Sequence, residues 1–221
     1  MKRLTALAAS AALLLAACGS SNLTYELRFD TTDEARQSDL TLAVLRIITR
    51  RLARLGEEAP DTDLERQGDT LELTIEVATR EAADTLDAEL TEPFTLTFMR
   101  ETEADGADTV VEGHGGFSYT GVEAQHIKWL TPQEEPDMPG KGRILLEFTD
   151  EGFALMKTVL EETRGKNLGL FVRGHLAAKL AVDREELRNI IVIAELPSVE
   201  IAHVFADDVN AGIHVTLEPR S

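Results

Sequence analysis

Hydrophobic and polar residues follow two regular patterns over residues 23–100. Alternation with a period of two predicts strands with one buried face at 23–30, 71–77 and 94–98. Helical spacing predicts a helix whose buried stripe is formed by Val44, Ile48, Leu52 and Leu55. Gly56 ends this helix, and Thr79 can cap a second one. With a further strand near 63–67, the predicted order is β-α-β-β-α-β.

The same two patterns return over residues 143–221. Strands are predicted at 144–148, 168–172, 175–182, 190–193 and 213–217. One helix starts after Thr149 or Asp150, and another starts at Pro197-Ser198 with its apolar residues on one face. The order is again β-α-β-β, followed by β-α-β.

The segment 101–142 has a different composition from the regions on either side of it. It is rich in glycine, proline and acidic residues, which predicts loops around short extended pieces, one of them at 126–130. Trp129 in that piece is either a binding aromatic residue or a ring packed over a sheet edge.

Together these patterns predict an α+β protein. We expect two small ferredoxin-like lobes of the β-α-β-β-α-β type, at 23–100 and 143–221, with antiparallel or mixed sheets. The loop-rich connection 101–142 joins them.

Residues 1–17 have the features of a bacterial signal peptide. Lys2 and Arg3 are basic, and the apolar run 4–17 is shorter than the roughly 20 residues of a membrane-spanning helix. Leu15-Ala16-Ala17-Cys18 resembles the lipobox of bacterial lipoproteins. The resemblance implies acylation of the Cys18 thiol, cleavage before Cys18 and a lipidated tether at 18–22. The alternative is a plain secretory signal with an incidental cysteine.

The residue after Cys18 bears on the choice of membrane. Gly19 stands there, so the position lacks an Asp that would act as an inner-membrane retention signal. By resemblance to Gram-negative lipoproteins, we expect a protein on the bacterial cell envelope that faces the periplasm, with the outer membrane favoured over the inner one. Two or more acyl chains hold a protein stably on a bilayer.

Charge and cysteine content narrow the possible partners. The formal net charge is −18, which argues against nucleic acid because phosphate binding depends on Lys and Arg. The acidic surplus is most simply a solvated surface. Cys18 is the only cysteine, so an intramolecular disulfide and a Cys-rich zinc site are excluded.

The sequence contains no arrangement of residues that is typical of catalysis. The five histidines are scattered, and Ser118 and Ser198 lack the G-x-S-x-G pattern of a nucleophile elbow. His114 lies in GHGG, but not between a strand and a helix, where a phosphate-binding loop is expected. We therefore predict a protein that is not an enzyme, with no metal site and no cofactor.

Two groups of motifs resemble the large first periplasmic domain of SecD, a subunit of the protein-export machinery. The first group is LRIITRRLARLG at 45–56, ERQGDTLELTIEV at 65–77 and ELTEPFTLTFMR at 89–100. The second group lies at 144–182, where ILLEFTDEGF begins, and at 196–218. The first group is similar to the base subdomain of SecD, and the second to its head. The motifs occur in the same order as in SecD, over roughly residues 36–218.

The resemblance implies a SecD-like domain that binds unfolded polypeptide or a component of the Sec translocon. Sheet edges can accept an extended chain by strand addition. We expect the polypeptide-binding face around Phe171, Arg173, Leu176 and Phe205. Where the family has LDG in the head hairpin, this chain has Val172-Arg173-Gly174, which departs from the family at that surface.

A second departure concerns the membrane. SecD continues into membrane helices that couple protons to export, and no such helix appears before Ser221. We therefore expect a lipid-anchored protein that does not itself couple protons to transport. The alternative is a structural or interaction lipoprotein of the envelope that reuses the SecD head fold without a role in export, because a fold does not fix a function.

Overall fold

The computed structural model describes residues 20–57, 60–67, 70–182 and 190–220. Over these residues the strands are β1 (Ser21–Phe29), β2 (Asp61–Gln67), β3 (Thr70–Val77), β4 (Leu96–Thr102), β5 (Thr109–Val111), β6 (Gly115–Glu123), β7 (Ile127–Glu134), β8 (Gly142–Phe148), β9 (Asn167–Val172), β10 (His175–Ala181), β11 (Ile190–Leu196) and β12 (Val215–Pro219). The helices are α1 (Glu34–Arg54), α2 (Arg80–Thr91), α3 (Asp150–Glu162) and α4 (Val199–His214).

The described strands form three antiparallel sheets. Their strand orders are β12-β1-β3-β2, β10-β9-β4-β6-β5 and β11-β8-β7. With helices packed against these sheets, the predicted α+β class is confirmed. None of the described helices is both long enough and apolar enough to span a membrane.

The first lobe consists of the four-stranded sheet with α1 and α2. One face of the sheet is apolar, and its core includes Tyr25, Leu27, Leu73 and Ile75. The helices cover this face, and the helical stripe that the sequence predicts contributes the buried residues Val44, Ile48 and Leu52. Leu55, predicted in the same stripe, follows the end of α1 and is 41% exposed. Asp33 caps α1 by accepting hydrogen bonds from the backbone N–H groups of Ala35 and Arg36. The alternation of apolar and polar residues at 23–30 and 71–77 therefore correctly predicts strands with one buried face.

The fourth strand of this sheet is β12, and this differs from the sequence-based expectation. The sequence predicts the strand at 94–98, which corresponds to β4, in the first lobe, and the strand at 213–217, which corresponds to β12, in the second. In the structure β12 pairs with β1 of the first lobe, and β4 lies between β9 and β6 of the second. Burial explains the exchange. β4 is buried on both faces, through Phe98 on one and Met99 on the other, so it fits a sheet covered on both sides. β12 has one apolar face, which closes the first core.

The second lobe consists of the five-stranded and three-stranded sheets with α3. Its core joins side chains from both sheets and from α3 and α4, among them Phe98, Leu146, Met156, Leu170 and Val209. Over 101–142 the sequence predicts loops around short extended pieces, one of them at 126–130. The structure has β5, β6 and β7 there, and β7 includes most of that extended piece. The pairing of β4 with β6 shifts register next to Gly121, whose φ is 81°. This bulge interrupts the alternation that would have indicated a strand.

Helix α4 connects the two lobes. It packs against β7 and β8 in the second lobe and against α1 in the first. The buried Asn210 amide fixes it to β7, since it accepts a hydrogen bond from the Leu130 N–H at 2.9 Å and donates one to the Leu130 carbonyl at 2.8 Å. The lobes therefore meet along α1 and α4.

Candidate functional site

The residues predicted for polypeptide binding do not form one surface. Phe171 is only 2% exposed and packs edge-on against Phe117, with ring centroids 5.2 Å apart. Leu176 lies opposite Phe171 in the β9–β10 pairing and is partly buried on the same cluster. Phe205 lies on α4 and packs on the core of the second lobe. The structure therefore pairs Phe171 with Leu176 and places Phe205 elsewhere.

Arg173 occupies a third position, at the turn between β9 and β10. Its φ of 49° and the φ of 76° at Gly174 give the tight hairpin turn that the sequence predicts. The turn aims the Arg173 side chain at the first lobe, where its Nη1 donates to Glu92 Oε2 at 2.9 Å. Arg173 therefore belongs to the junction between the lobes.

Cys18, the predicted lipidation site, lies outside the described residues. Its acylation stays a prediction. The described part of the chain contains no group of three or more His, Asp or Glu residues that could hold a metal ion.

A cleft lies between the lobes, and we call it the interlobe cleft. The cleft has two parts. The larger, which we call its outer part, has a volume of about 720 Å³, and the smaller, which we call its inner pocket, has a volume of about 190 Å³. Six residues line both parts: Ile47, Arg51, Glu92, Phe94, Arg173 and Asp208. The two parts are therefore continuous.

Helix α1 supplies most of the positive charge of the interlobe cleft. Arg50, Arg51 and Arg54 line it together with Arg173. Arg50 reaches α4, with its Nη1 3.2 Å from Asp207 Oδ2 and its Nη2 3.4 Å from Asp208 Oδ1. Arg51 is nearly enclosed, with a side chain that is 12% exposed.

Burial and charge act together on Arg51. Desolvation lowers the pKa of its guanidinium, and the like charge of Arg173 lowers it further, while Glu89 and Asp208 act in the opposite direction. Arg51 and Arg173 thus bring two like charges to the same cleft.

Phe94 forms an apolar wall of the cleft. The guanidinium carbon of Arg173 lies 5.9 Å from its ring centroid. The ring also packs directly on Gly212 of α4, where a Cβ would overlap it. Gly212 therefore allows the close packing of α4 on Phe94.

Sequence reasoning missed the interlobe cleft except for Arg173. A signal was present, since Arg50, Arg51 and Arg54 form a basic cluster on one helix of an acidic chain. Nothing in the sequence shows that the β9–β10 turn brings Arg173 to that cluster.

Comparison with known proteins gives a fold. No family model matches the chain, and no curated protein matches its sequence. Among solved structures, SecDF from Thermus thermophilus, described as a translocon-associated membrane protein, is similar with a TM-score of 0.52 and 18% identity, over 90% of this chain and 30% of that one. The chain has a SecDF-like fold.

Two further SecDF structures are similar to this chain. SecDF in its super-membrane-facing form gives a TM-score of 0.48 at 16% identity and covers 91% of this chain and 30% of that one. A structure of SecDF as a membrane component that enhances protein export gives 0.49 at 17% identity, over 90% and 98% of the two chains. The chain thus spans under a third of the length of two of the three SecDF chains, and the SecDF-like fold is consistent with a SecD periplasmic-like domain.

Proposed function

We propose that this chain is a non-catalytic, lipid-anchored protein of the bacterial cell envelope that binds polypeptide or a translocon partner during protein export. The observation that carries the proposal is the SecDF-like fold over 90% of the chain, shared with a protein described as translocon-associated. The signal-peptide pattern before Cys18 supports the anchor, since acyl chains would hold the domain at a membrane surface facing the periplasm. Gly19 favours the outer membrane.

Sheet geometry is compatible with binding of an extended chain. In the described residues, β10 and β5 are the outer strands of the five-stranded sheet, and each pairs with a neighbour on one side. An extended polypeptide can add a strand at such an edge through main-chain hydrogen bonds. Binding of this kind is tolerant of sequence, which suits a protein that meets many exported chains.

Two experiments on whole cells test the proposal. In the first, cells are labelled with palmitate and the wild type is compared with Cys18→Ser and with the neighbouring Ser20→Ala. We expect label in the wild type and in Ser20→Ala and none in Cys18→Ser. Equal labelling of Cys18→Ser, or an unlabelled wild type, would show that the lipid anchor is wrong.

The second experiment is crosslinking of the wild-type protein in the envelope, followed by purification and identification of the attached chains. We expect Sec components or newly secreted polypeptides to be enriched over a control lipoprotein of similar abundance. Absence of both classes from the crosslinked material would contradict a role in export.

A further inference from the structure

The charge of the interlobe cleft is opposite to that of the chain as a whole. The outer part is lined by four arginines, Arg50, Arg51, Arg54 and Arg173, and by three carboxylates, Glu89, Glu92 and Asp208. The whole chain has a net charge of −18. A positive surplus kept inside a concave site of an acidic protein points to an anionic ligand.

Arg51 has hydrogen-bonding capacity that the protein does not use. Its Nε lies 3.5 Å from Glu89 Oε2, an oxygen that Arg54 Nη2 approaches at the same distance. Its Nη1 is buried and has no hydrogen-bond partner in the part of the chain that the structure describes. Buried donors are nearly always paired, so Arg51, which lines both parts of the cleft, lacks an acceptor for one of its donors.

Arg173 provides the second positive group at the same place. One of its nitrogens is held by Glu92 at 2.9 Å, and its guanidinium lies near the Phe94 ring. Arg51 and Arg173 both line the inner pocket, and two carboxylates, those of Glu92 and Asp208, line it as well. Because their charges repel, an anion between them would stabilise both.

The size and lining of the inner pocket limit which group of the ligand can enter it. Apolar side chains such as Ile47, Leu90 and Leu217 line it together with the polar residues Thr91 and Thr216. Its volume of about 190 Å³ is smaller than that of sites for drug-sized ligands, which start at about 300 Å³. The pocket therefore has room for one side chain, which can pack on the apolar residues, and the guanidinium pair favours an anion beside it.

We propose that the interlobe cleft binds the C-terminal residue of a polypeptide. The α-carboxylate lies between Arg51 and Arg173, where it accepts charge-assisted hydrogen bonds, and the apolar side chain of the same residue fills the inner pocket. Within a polypeptide, only the C-terminal residue carries a free carboxylate and a side chain on the same carbon. This inference rests on the proposed function in one respect, that the ligand is a polypeptide.

The test is a binding measurement with two peptides that differ only at the end. The full chain is purified in detergent, and fluorescence anisotropy follows a labelled ten-residue peptide ending in leucine with a free carboxylate, or the same peptide as its carboxamide. We expect the free carboxylate to bind about tenfold or more tightly, with a preference that weakens as salt screens the charges.

Variants locate the effect. Arg51→Gln and Arg173→Gln are each expected to remove most of the preference for the free carboxylate. Arg80→Gln is the matched control, because Arg80 lies outside the cleft with a side chain that is 87% exposed, and it should keep the full preference. Thermal melting of each variant identifies any that fails to fold, and the two cleft variants are independent of each other.

Three results would overturn the inference. They are equal binding of the two peptides, a preference that survives both cleft substitutions in folded protein, and equally tight binding of a carboxamide peptide that carries an internal glutamate. If both peptides bind equally tightly, the proposed function stands and only the inference fails, whereas absence of binding by both peptides would count against polypeptide binding as well. Failure of the envelope crosslinking with a retained carboxylate preference in solution would instead count against the role in export alone.

Discussion

Arg46 of α1 and Asp207 of α4 form two hydrogen bonds across the junction of the lobes, from Nε to Oδ2 at 2.8 Å and from Nη2 to Oδ1 at 2.7 Å. The pairing raises the pKa of Arg46. Asp207 is 7% exposed and also faces Arg50. One carboxylate thus holds α4 against two arginines of α1 and keeps the lobes together.

We expect Asp207→Asn to lower the free energy of unfolding by about 1–2 kcal/mol. The estimate is moderate because the Arg46 side chain is half exposed and water can replace part of the lost interaction. Urea denaturation at neutral pH measures the change. The matched control is Asp208→Asn, one residue further on and 47% exposed, for which a change below about 0.5 kcal/mol is expected. Equal effects at the two positions would contradict the role assigned to Asp207.

Gly212→Ala tests the close packing of α4 on Phe94. An alanine favours a helix, so a substitution without contacts would stabilise the protein slightly. Here the added methyl group would overlap the Phe94 ring, and we expect a net loss of about 1–3 kcal/mol in the free energy of unfolding.

A double-mutant cycle separates this contact from a general effect on α4. In a Phe94→Ala background, the cost of Gly212→Ala should largely disappear, because the ring that the methyl group meets is gone. A cost that persists unchanged would show that the backbone of α4, and not Phe94, requires the glycine.

Tyr25 gives the protein a specific sensitivity to alkali. Its side chain is fully buried, and burial followed by its hydrogen bond to Asp87, at 2.7 Å, raises the pKa of the phenol well above its usual value near 10. The unfolded chain loses the phenol proton above about pH 10 while the folded protein keeps it. The stability that Tyr25 contributes is therefore complete below pH 10 and falls as the pH rises further.

We expect Tyr25→Phe to reduce this alkaline loss. Between pH 10 and pH 11, the free energy of unfolding should fall less steeply than in the wild type, by up to about 1.4 kcal/mol per pH unit, the contribution of one proton. At pH 7 the variant should be about 1 kcal/mol less stable because the bond to Asp87 is lost. Tyr119→Phe is the matched control, since Tyr119 is the other tyrosine and is 60% exposed. An identical slope for Tyr25→Phe and wild type would contradict the assignment.

Glu101 should make the stability of the protein sensitive to acid, whereas Tyr25 makes it sensitive to alkali. Hydrogen bonds from Lys179, at 2.6 Å, and from Asn167, at 2.5 Å, lower the pKa of its carboxyl group. Its contribution to stability is present above the ordinary glutamate pKa and is lost as the pH falls through the lowered value. NMR titration of the Glu101 carboxyl carbon should show the lowered pKa.

Lys179→Gln should raise the pKa of Glu101 toward the ordinary glutamate value. Lys157→Gln, at an exposed lysine of α3 that is not among the residues lowering the pKa of Glu101, should leave the titration unchanged. A Glu101 titration that does not move in Lys179→Gln would show that Asn167 alone is responsible.

Much of the local structure could be predicted from the sequence. Helix stripes, strand alternation and capping residues such as Thr79 and Ser198 depend on neighbours a few residues away, and the structure has these elements close to the predicted bounds. Strands β5 and β6 escaped prediction because glycine turns and a register shift hide their alternation, whereas β7 includes most of the extended piece predicted at 126–130.

The candidate site could be predicted only in part. Arg173 was chosen from the sequence, but Phe171 was chosen with it and is buried against Phe117. The arginines of α1 form a recognisable cluster, yet a charge cluster alone does not show what lies opposite it.

The sequence by itself determined most of the element types, the α+β class and the resemblance to SecD, because local patterns set all three. Tertiary structure alone decided that β12 completes the first sheet and β4 enters the second. It also brought Arg51 of α1 and Arg173 of the β9–β10 turn to one cleft. The physical reason is that the pairing of strands, and the charges that this pairing brings together, depend on which apolar faces must be covered in the whole molecule. These contacts join residues far apart in the sequence, and a local pattern contains no information about them.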